Sequence, residues 1–356
     1  MKLCILGDGL TSLCLAKSLV NKGINVDIFS NQKKLNYDKT RTIGISKKNL
    51  DFFNKEILNI DKFLWNINKI QIYSDNLKNE KILDFNNKKQ TLFVTVKNYQ
   101  LYQFLLSSLK RNKLSEFQNN KKIKQSDVNK YSLIINCDSK NDLSKKFFFK
   151  KLKKKYDSYA YTTIIKHKKI SNNTACQIFT KKGPLAFLPI SETETSIVYS
   201  IKGNQNINLK SLIEKYNHKY SIINFGRVAY FELQALNLRS YYYKNILAFG
   251  DMLHKLHPLA GQGFNMSLRD IKDLSKIIKF KLDHGLDLDE SVCLDFENKT
   301  KHKNFLFSTG IDFVYEFFNL ERKINSPILS KSLKIIGKNK FLNTSFEKIA
   351  NSGLSI

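Results

Sequence analysis

Two short stretches hold residues whose types and spacing fit the binding of a large anionic cofactor. In GDGLTS, residues 7 to 12, Gly7, Gly9 and Ser12 stand at the G-x-G-x-x-G spacing, with serine in place of the third glycine. The first glycine permits a tight turn and the second lets a pyrophosphate approach the main chain. A helix beginning at Leu10, Thr11 and Ser12 offers that phosphate its positive end. In GDMLHKLHPLAGQGFNMSLRD, residues 250 to 270, Asp251 closes a strand and is placed to accept hydrogen bonds from a polyol. Pro258 fixes the loop that follows, and Gly261 and Gly263 clear room for a flat group to lie on main chain. Gln262, Phe264 and Asn265 then open a helix whose free amides suit a ring system that becomes anionic on reduction. His254 and His257 have the H-x-x-H spacing of a metal pair, but no further ligands converge on them. Both are expected to pack beside the loop, with His257 near the ring's edge.

The elements that must position these residues follow from periodicity. KLCIL (2 to 6) reads as a buried strand, Leu13, Leu15, Ala16, Leu19 and Val20 as the apolar face of a helix stopped by Gly23, and INVDIF (24 to 29) as the next strand. The end of that second strand usually carries an acid for a ribose diol, and here it is Ser30, whose hydroxyl accepts a hydrogen bond without charge. Ser46 is expected to cap a helix after TRTIGIS, QIYSD and TLFVTV read as strands, and YQLYQFLLSSL as an apolar-faced helix. YSLIINCDS (131 to 139) reads as a strand ending on Asp138, a position that presents ligand contacts in open α/β sheets. KKFFFKKLKKKY (145 to 156) reads either as a contact for anionic lipid heads or as a solvated connector whose Phe residues pack inward. From 158 to about 235 the pattern turns to strands, NILAFGD (245 to 251) returns to a buried strand, and the chain from about 300 looks helical.

Composition narrows the function classes. Across 356 residues the net charge is +29, carried mostly by Lys spread along the whole chain with no Arg-rich cluster, so a nucleic acid partner is not expected. Cysteines at 4, 14, 137, 176 and 293 form no C-x-x-C pair and fit a reducing cytosol better than a disulfide framework. No cationic, apolar and small-residue succession of a signal peptide is read at the N-terminus, and no stretch approaches 18 uncharged apolar residues. A cytoplasmic place is expected, with peripheral attachment to the inner face of the cytoplasmic membrane left open.

GDMLHKLHPLAGQGFNMSLRD resembles the GD-x-A-H-x-x-x-P-x-x-G-Q-G-x-N segment of class A flavoprotein monooxygenases, and within them the ubiquinone-biosynthesis hydroxylase family. KKGPLAFLPIS (181 to 191) is similar to that family's GPLA-x-LP strand, and RTIGIS to its R-x-x-A-L-S segment. The resemblance implies an α/β fold: a Rossmann-like FAD-binding domain (1–65, 91–150 and 240–300), an inserted mixed-sheet substrate domain (66–90 and 151–239) and a C-terminal helical segment (301–356). It implies FAD bound by Gly7, Gly9, Leu10, Thr11, Ser12, Ser30, Asp138, Asp251 and the 261–265 loop, with Arg41, His257 and Pro258 near the flavin. It further implies NADH or NADPH as co-substrate and hydroxylation by O2 of a polyprenylated phenol held in a mostly apolar pocket beside GPLAFLPI. A membrane surface and a quinone-biosynthesis complex are the further partners it suggests. The family's Asp-Gly motif is Asp138-Ser139 here, its alanine after Gly-Asp is Met252, and its Gln-Arg pair near residue 100 is Leu101-Tyr102. These departures keep two other readings in play: a flavin-binding, catalytically weakened partner of a quinone-synthesis complex, and a related monooxygenase acting on a soluble aromatic.

Overall fold

The apolar run KLCIL forms β1 (Lys2–Leu6), the central strand of a six-stranded sheet in a computed structural model that describes residues 2–30, 39–75, 80–86, 91–119, 121, 123, 125–203, 207–257 and 261–324. On one side of β1 lie β2 (Asn25–Ser30) and then β8 (Ser115–Asn119). On the other lie β9 (Ile134–Asn136), β17 (Ile246–Ala248) and the edge strand β16 (Tyr242–Tyr243). All neighbours are parallel except β16 with β17. Strands buried on both faces need continuous apolar runs, which is why β1, β9 and β17 carry almost nothing but Leu, Ile, Cys and Ala. The crossovers diverge between β1 and β9, and a crevice opens beyond the strand ends at such a point. Helices α1 (Leu10–Val20), α3 (Asn98–Lys110), α4 (Asp142–Phe147) and α6 (Gln262–Asp283) flank the sheet, α1 and α6 being joined by the buried Ser18 and Ser275 hydroxyls at 2.8 Å.

A nine-stranded sheet runs in the order β18 (His254–Lys255), β15 (Ala229–Leu238), β10 (Lys151–His167), β13 (Glu194–Lys202), β12 (Gly183–Pro189), β11 (Thr174–Thr180), β5 (Lys69–Ser74) and β6 (Glu80–Asn86), with β14 (Ile222–Phe225) also on β10. Only β11 with β5 is parallel. A third sheet joins β3 (Thr42–Ser46), β7 (Phe93–Lys97) and β4 (Trp65–Ile67), and α2 (Lys47–Glu56) follows β3. Ser46 holds the N-cap position of α2 but makes no side-chain capping bond.

Alternation decides which face of the large sheet is covered by what. Tyr161, Ile165, Leu185, Phe187, Ile197 and Tyr199 point to one side, under α5 (Leu209–Tyr216), whose Leu209, Ile213 and Tyr216 complete that core. Ala160, Phe179, Leu233 and Ala235 point to the other side, under Tyr315 and Phe318 of α7 (Glu290–Ile324). The N-terminal part of α7 sits in the core of the parallel sheet through Val292, Cys293 and Phe296, so one helix fastens both sheets. The helix therefore starts ten residues before the point where the sequence turns visibly helical. Lys151 to Tyr156 is also a strand and not a connector. In the preceding segment Phe148 is buried, Phe147 stacks on Tyr243, and Phe149 is exposed.

Candidate active site

β1 ends at Gly7, whose φ of +103° favours glycine, and a Cβ there would meet Cys137 C and Asp138 N at 3.4 Å. The turn lies beside the end of β9. Gly9 precedes α1 in extended conformation with open space beside it, so the first amides of that helix are reachable by a ligand. Burial pushes the Cys137 thiol up to about 12, the carboxylates of Asp251 and Asp138 add to this, and Ser12 opposes it. A neutral thiol thus sits where the two loops meet, and Gly7, Gly9, Ser12, Asp138 and Asp251 share one edge of the parallel sheet. Asp138 caps its own turn, accepting from Lys140 N at 2.9 Å. Asp251 is exposed, its side chain standing clear of the core into which Met252 is packed.

Gly261, at φ +63°, is the left-handed residue from which α6 starts. The Asn265 side chain is committed to the protein: Oδ1 accepts from Ser46 N and Asn49 Nδ2, both at 2.9 Å, and Nδ2 donates to Gly44 O at 2.9 Å. This residue clamps the start of α6 to β3 and α2. Around it, Gly263 faces open space, Phe264 rests half-buried on the core, and the buried Oε1 of Gln262 has no hydrogen-bond partner. Pro258 lies outside the described residues. His257, 1 % exposed, is enclosed by Tyr156 and Tyr315 with ring centroids at 5.1 and 4.2 Å. His254 bonds Asp270 at 2.5 Å, and Asn304 of α7 donates to the other Asp270 oxygen at 2.9 Å.

Across from this edge, the large sheet presents Ile164, Ala186, Leu188 and Val198 half-exposed, on the face opposite Leu185 and Phe187. Arg41 lies over the Phe231 ring at 5.3 Å, the Thr40 and Thr162 hydroxyls meet at 2.9 Å, and Thr95 donates to Pro189 O at 2.5 Å. These contacts fix an apolar wall against the parallel-sheet half. Two cavities of about 200 and 240 Å³ open along this junction, on either side of the Lys97–Glu194 ion pair at 2.7 Å. Their linings include Lys39, Lys62, Lys97 and Lys166, so cationic side chains stand along the rim.

One expectation needs correcting in detail. Leu101 and Tyr102 are core residues, whereas the accessible positions in that turn are Tyr99, Gln100 and Gln103. At the end of β2 the Ser30 hydroxyl donates to Asp8 at 2.5 Å. Asp8 itself escaped notice because the fingerprint gives no role to the residue between its first two glycines.

No family model matches the chain. A mitochondrial ubiquinone biosynthesis monooxygenase of Caenorhabditis elegans is 24 % identical over 255 residues, 56 % of this chain and 55 % of that one. The 3-demethoxyubiquinol 3-hydroxylase of Escherichia coli is 27 % identical over 153 residues, 40 % and 39 % of the two chains. Over those stretches the chain is similar to monooxygenases and hydroxylases of ubiquinone biosynthesis. It spans about half, or less, of the length of the curated relatives it matches. The fold is that of FAD-dependent monooxygenases. The p-nitrophenol 4-monooxygenase of Pseudomonas putida superposes with a TM-score of 0.78 at 11 % identity over 99 % of this chain and 98 % of that one. Klebsiella pneumoniae HpxO, in complex with FAD and uric acid, gives 0.78 at 12 % over 100 % and 98 %.

Proposed function

We propose that this chain binds FAD and uses NADH or NADPH and O2 to hydroxylate the ring of a polyprenylated phenol in ubiquinone biosynthesis. The observation that carries the reading is the bare start of α6, where Gly263 borders open space and the buried Gln262 Oε1 lacks a donor, set opposite the half-exposed Ile164, Ala186, Leu188 and Val198. An orphaned buried acceptor costs stability until a ligand supplies the hydrogen. The residues present therefore fit the group. Gly9, the first turn of α1, Asp251 and the 261–264 segment would hold it, and the flavin's contribution when bound is the redox chemistry linking NAD(P)H oxidation to oxygen transfer. The protein's part is placement. The apolar wall orients the ring and excludes water, Arg41 closes one end through Phe231, and no titrating side chain is asked to move a proton. A peripheral contact with an anionic membrane surface is supported by exposed Phe149 and Leu152 among the exposed lysines 150, 153 and 155.

The test is a visible-absorption titration of the purified protein with FAD, followed by gel filtration. Wild type should retain the flavin spectrum. Because Asp251 is exposed, Asp251→Ala should leave the unfolding midpoint of the FAD-free protein unchanged while weakening FAD binding roughly tenfold, the worth of a charge-assisted bond. No flavin retained by wild type at saturating FAD would end the reading.

A further inference from the structure

Three aspartates are buried among the described residues, and two of them have two donors each. Asp27 takes the Lys2 ammonium at 2.9 Å and the Tyr131 hydroxyl at 2.7 Å, both on Oδ2, and Asp270 takes His254 and Asn304, one on each oxygen. Asp8, 6 % exposed, takes the Ser30 hydroxyl on Oδ2 and has, among the described residues, no cation within ion-pair reach. Burying a carboxylate on one neutral donor is costly unless further donors arrive, and a mere brace between two loops would be served as well by a neutral amide. The place matters as much as the charge. β1 and β2 pair in register up to Leu6 and Phe29, so Asp8 and Ser30 stand together just beyond the two strand ends, where sheets of this topology present an acid to a ribose diol.

We propose that Asp8 is the ribose-binding carboxylate of this chain, taking over from the missing acid at position 30. Ser30 occupies Oδ2 and orients the group, and Oδ1 accepts from the diol of the adenosine half of the cofactor. The inference rests on the FAD reading above, and it fixes the expected sign of Ser30→Glu. An added glutamate would restore nothing; it would push a second carboxylate against the first.

The test measures FAD affinity by flavin fluorescence alongside an FAD analogue carrying 2′-deoxyadenosine. Wild type should prefer FAD to the analogue roughly tenfold, whereas Asp8→Asn, which keeps the shape and an acceptor for Ser30, should bind FAD roughly tenfold less tightly and lose the preference. Ser30→Glu alone should weaken binding, and Asp8→Ser combined with Ser30→Glu should recover it. Wild-type FAD affinity in Asp8→Asn, a preference that survives that change, or tighter binding by Ser30→Glu alone would overturn the assignment. A wild-type protein that binds no FAD would overturn the underlying FAD reading as well, a result distinct from the other three.

Discussion

Replacing Asn265 by alanine is expected to lower the unfolding free energy by about 3 kcal/mol, because the Ser46 amide and the Gly44 carbonyl lose their partner in a buried site, while Asn49 keeps only its bond to the main-chain carbonyl of residue 265. Each unsatisfied buried group costs roughly 1 to 3 kcal/mol, and neighbours relax enough to keep the sum below the simple total. Asn265→Asp keeps an acceptor for Ser46 and Asn49 but cannot donate to Gly44, so it should fall between wild type and alanine. Urea unfolding decides the matter: a loss under about 1 kcal/mol for alanine would mean that α6 is held by packing alone. The same substitution should reduce FAD retention, since the free amides at the start of α6 are aimed by this clamp.

Asp270→Ala is expected to cost about 2 to 4 kcal/mol, since two buried donors lose their acceptor at once. His254 and Asn304 are left facing an apolar gap, and the bond that ties α6 to α7 disappears. Asn304→Ala leaves one Asp270 oxygen without its donor and should cost about 2 kcal/mol. Hydrogen exchange along residues 290–324 separates this account from simple core loosening. Asp270→Ala should expose the amides of α7 selectively, and uniform loss of protection across both sheets would count against the relay as the fastening of that helix.

Much of the fold was legible because buried parallel strands are written as unbroken apolar runs. KLCIL, the 24–29 strand and NILAF needed no tertiary context, and the switch to alternating patterns after 158 marked the large sheet. The 151–156 strand was not legible. Its lysines look like a solvated connector because this part of β10 pairs only with β15 and has no partner on its other side, where charged side chains are tolerated. The glycine turns of the site could be read from spacing, since steric permission is a local property. The roles of Asn265 and Asp8 could not. The partners of Asn265 lie more than 200 positions away in the chain, and the importance of Asp8 comes from what surrounds it: a buried carboxylate with one hydroxyl donor, a fact of burial that no motif records.

Oxygen-isotope labelling tests the central claim most directly. The FAD-loaded protein, given NADPH or NADH and a prenylated phenol under isotopically labelled O2, should produce a hydroxylated phenol carrying one labelled oxygen, with reductant consumption stimulated by the phenol. An untailed phenol stimulating equally well would move the substrate to a soluble aromatic. FAD-loaded protein that consumes no reductant and labels no phenol, tailed or not, would contradict the hydroxylase account and leave a flavin-binding partner in its place.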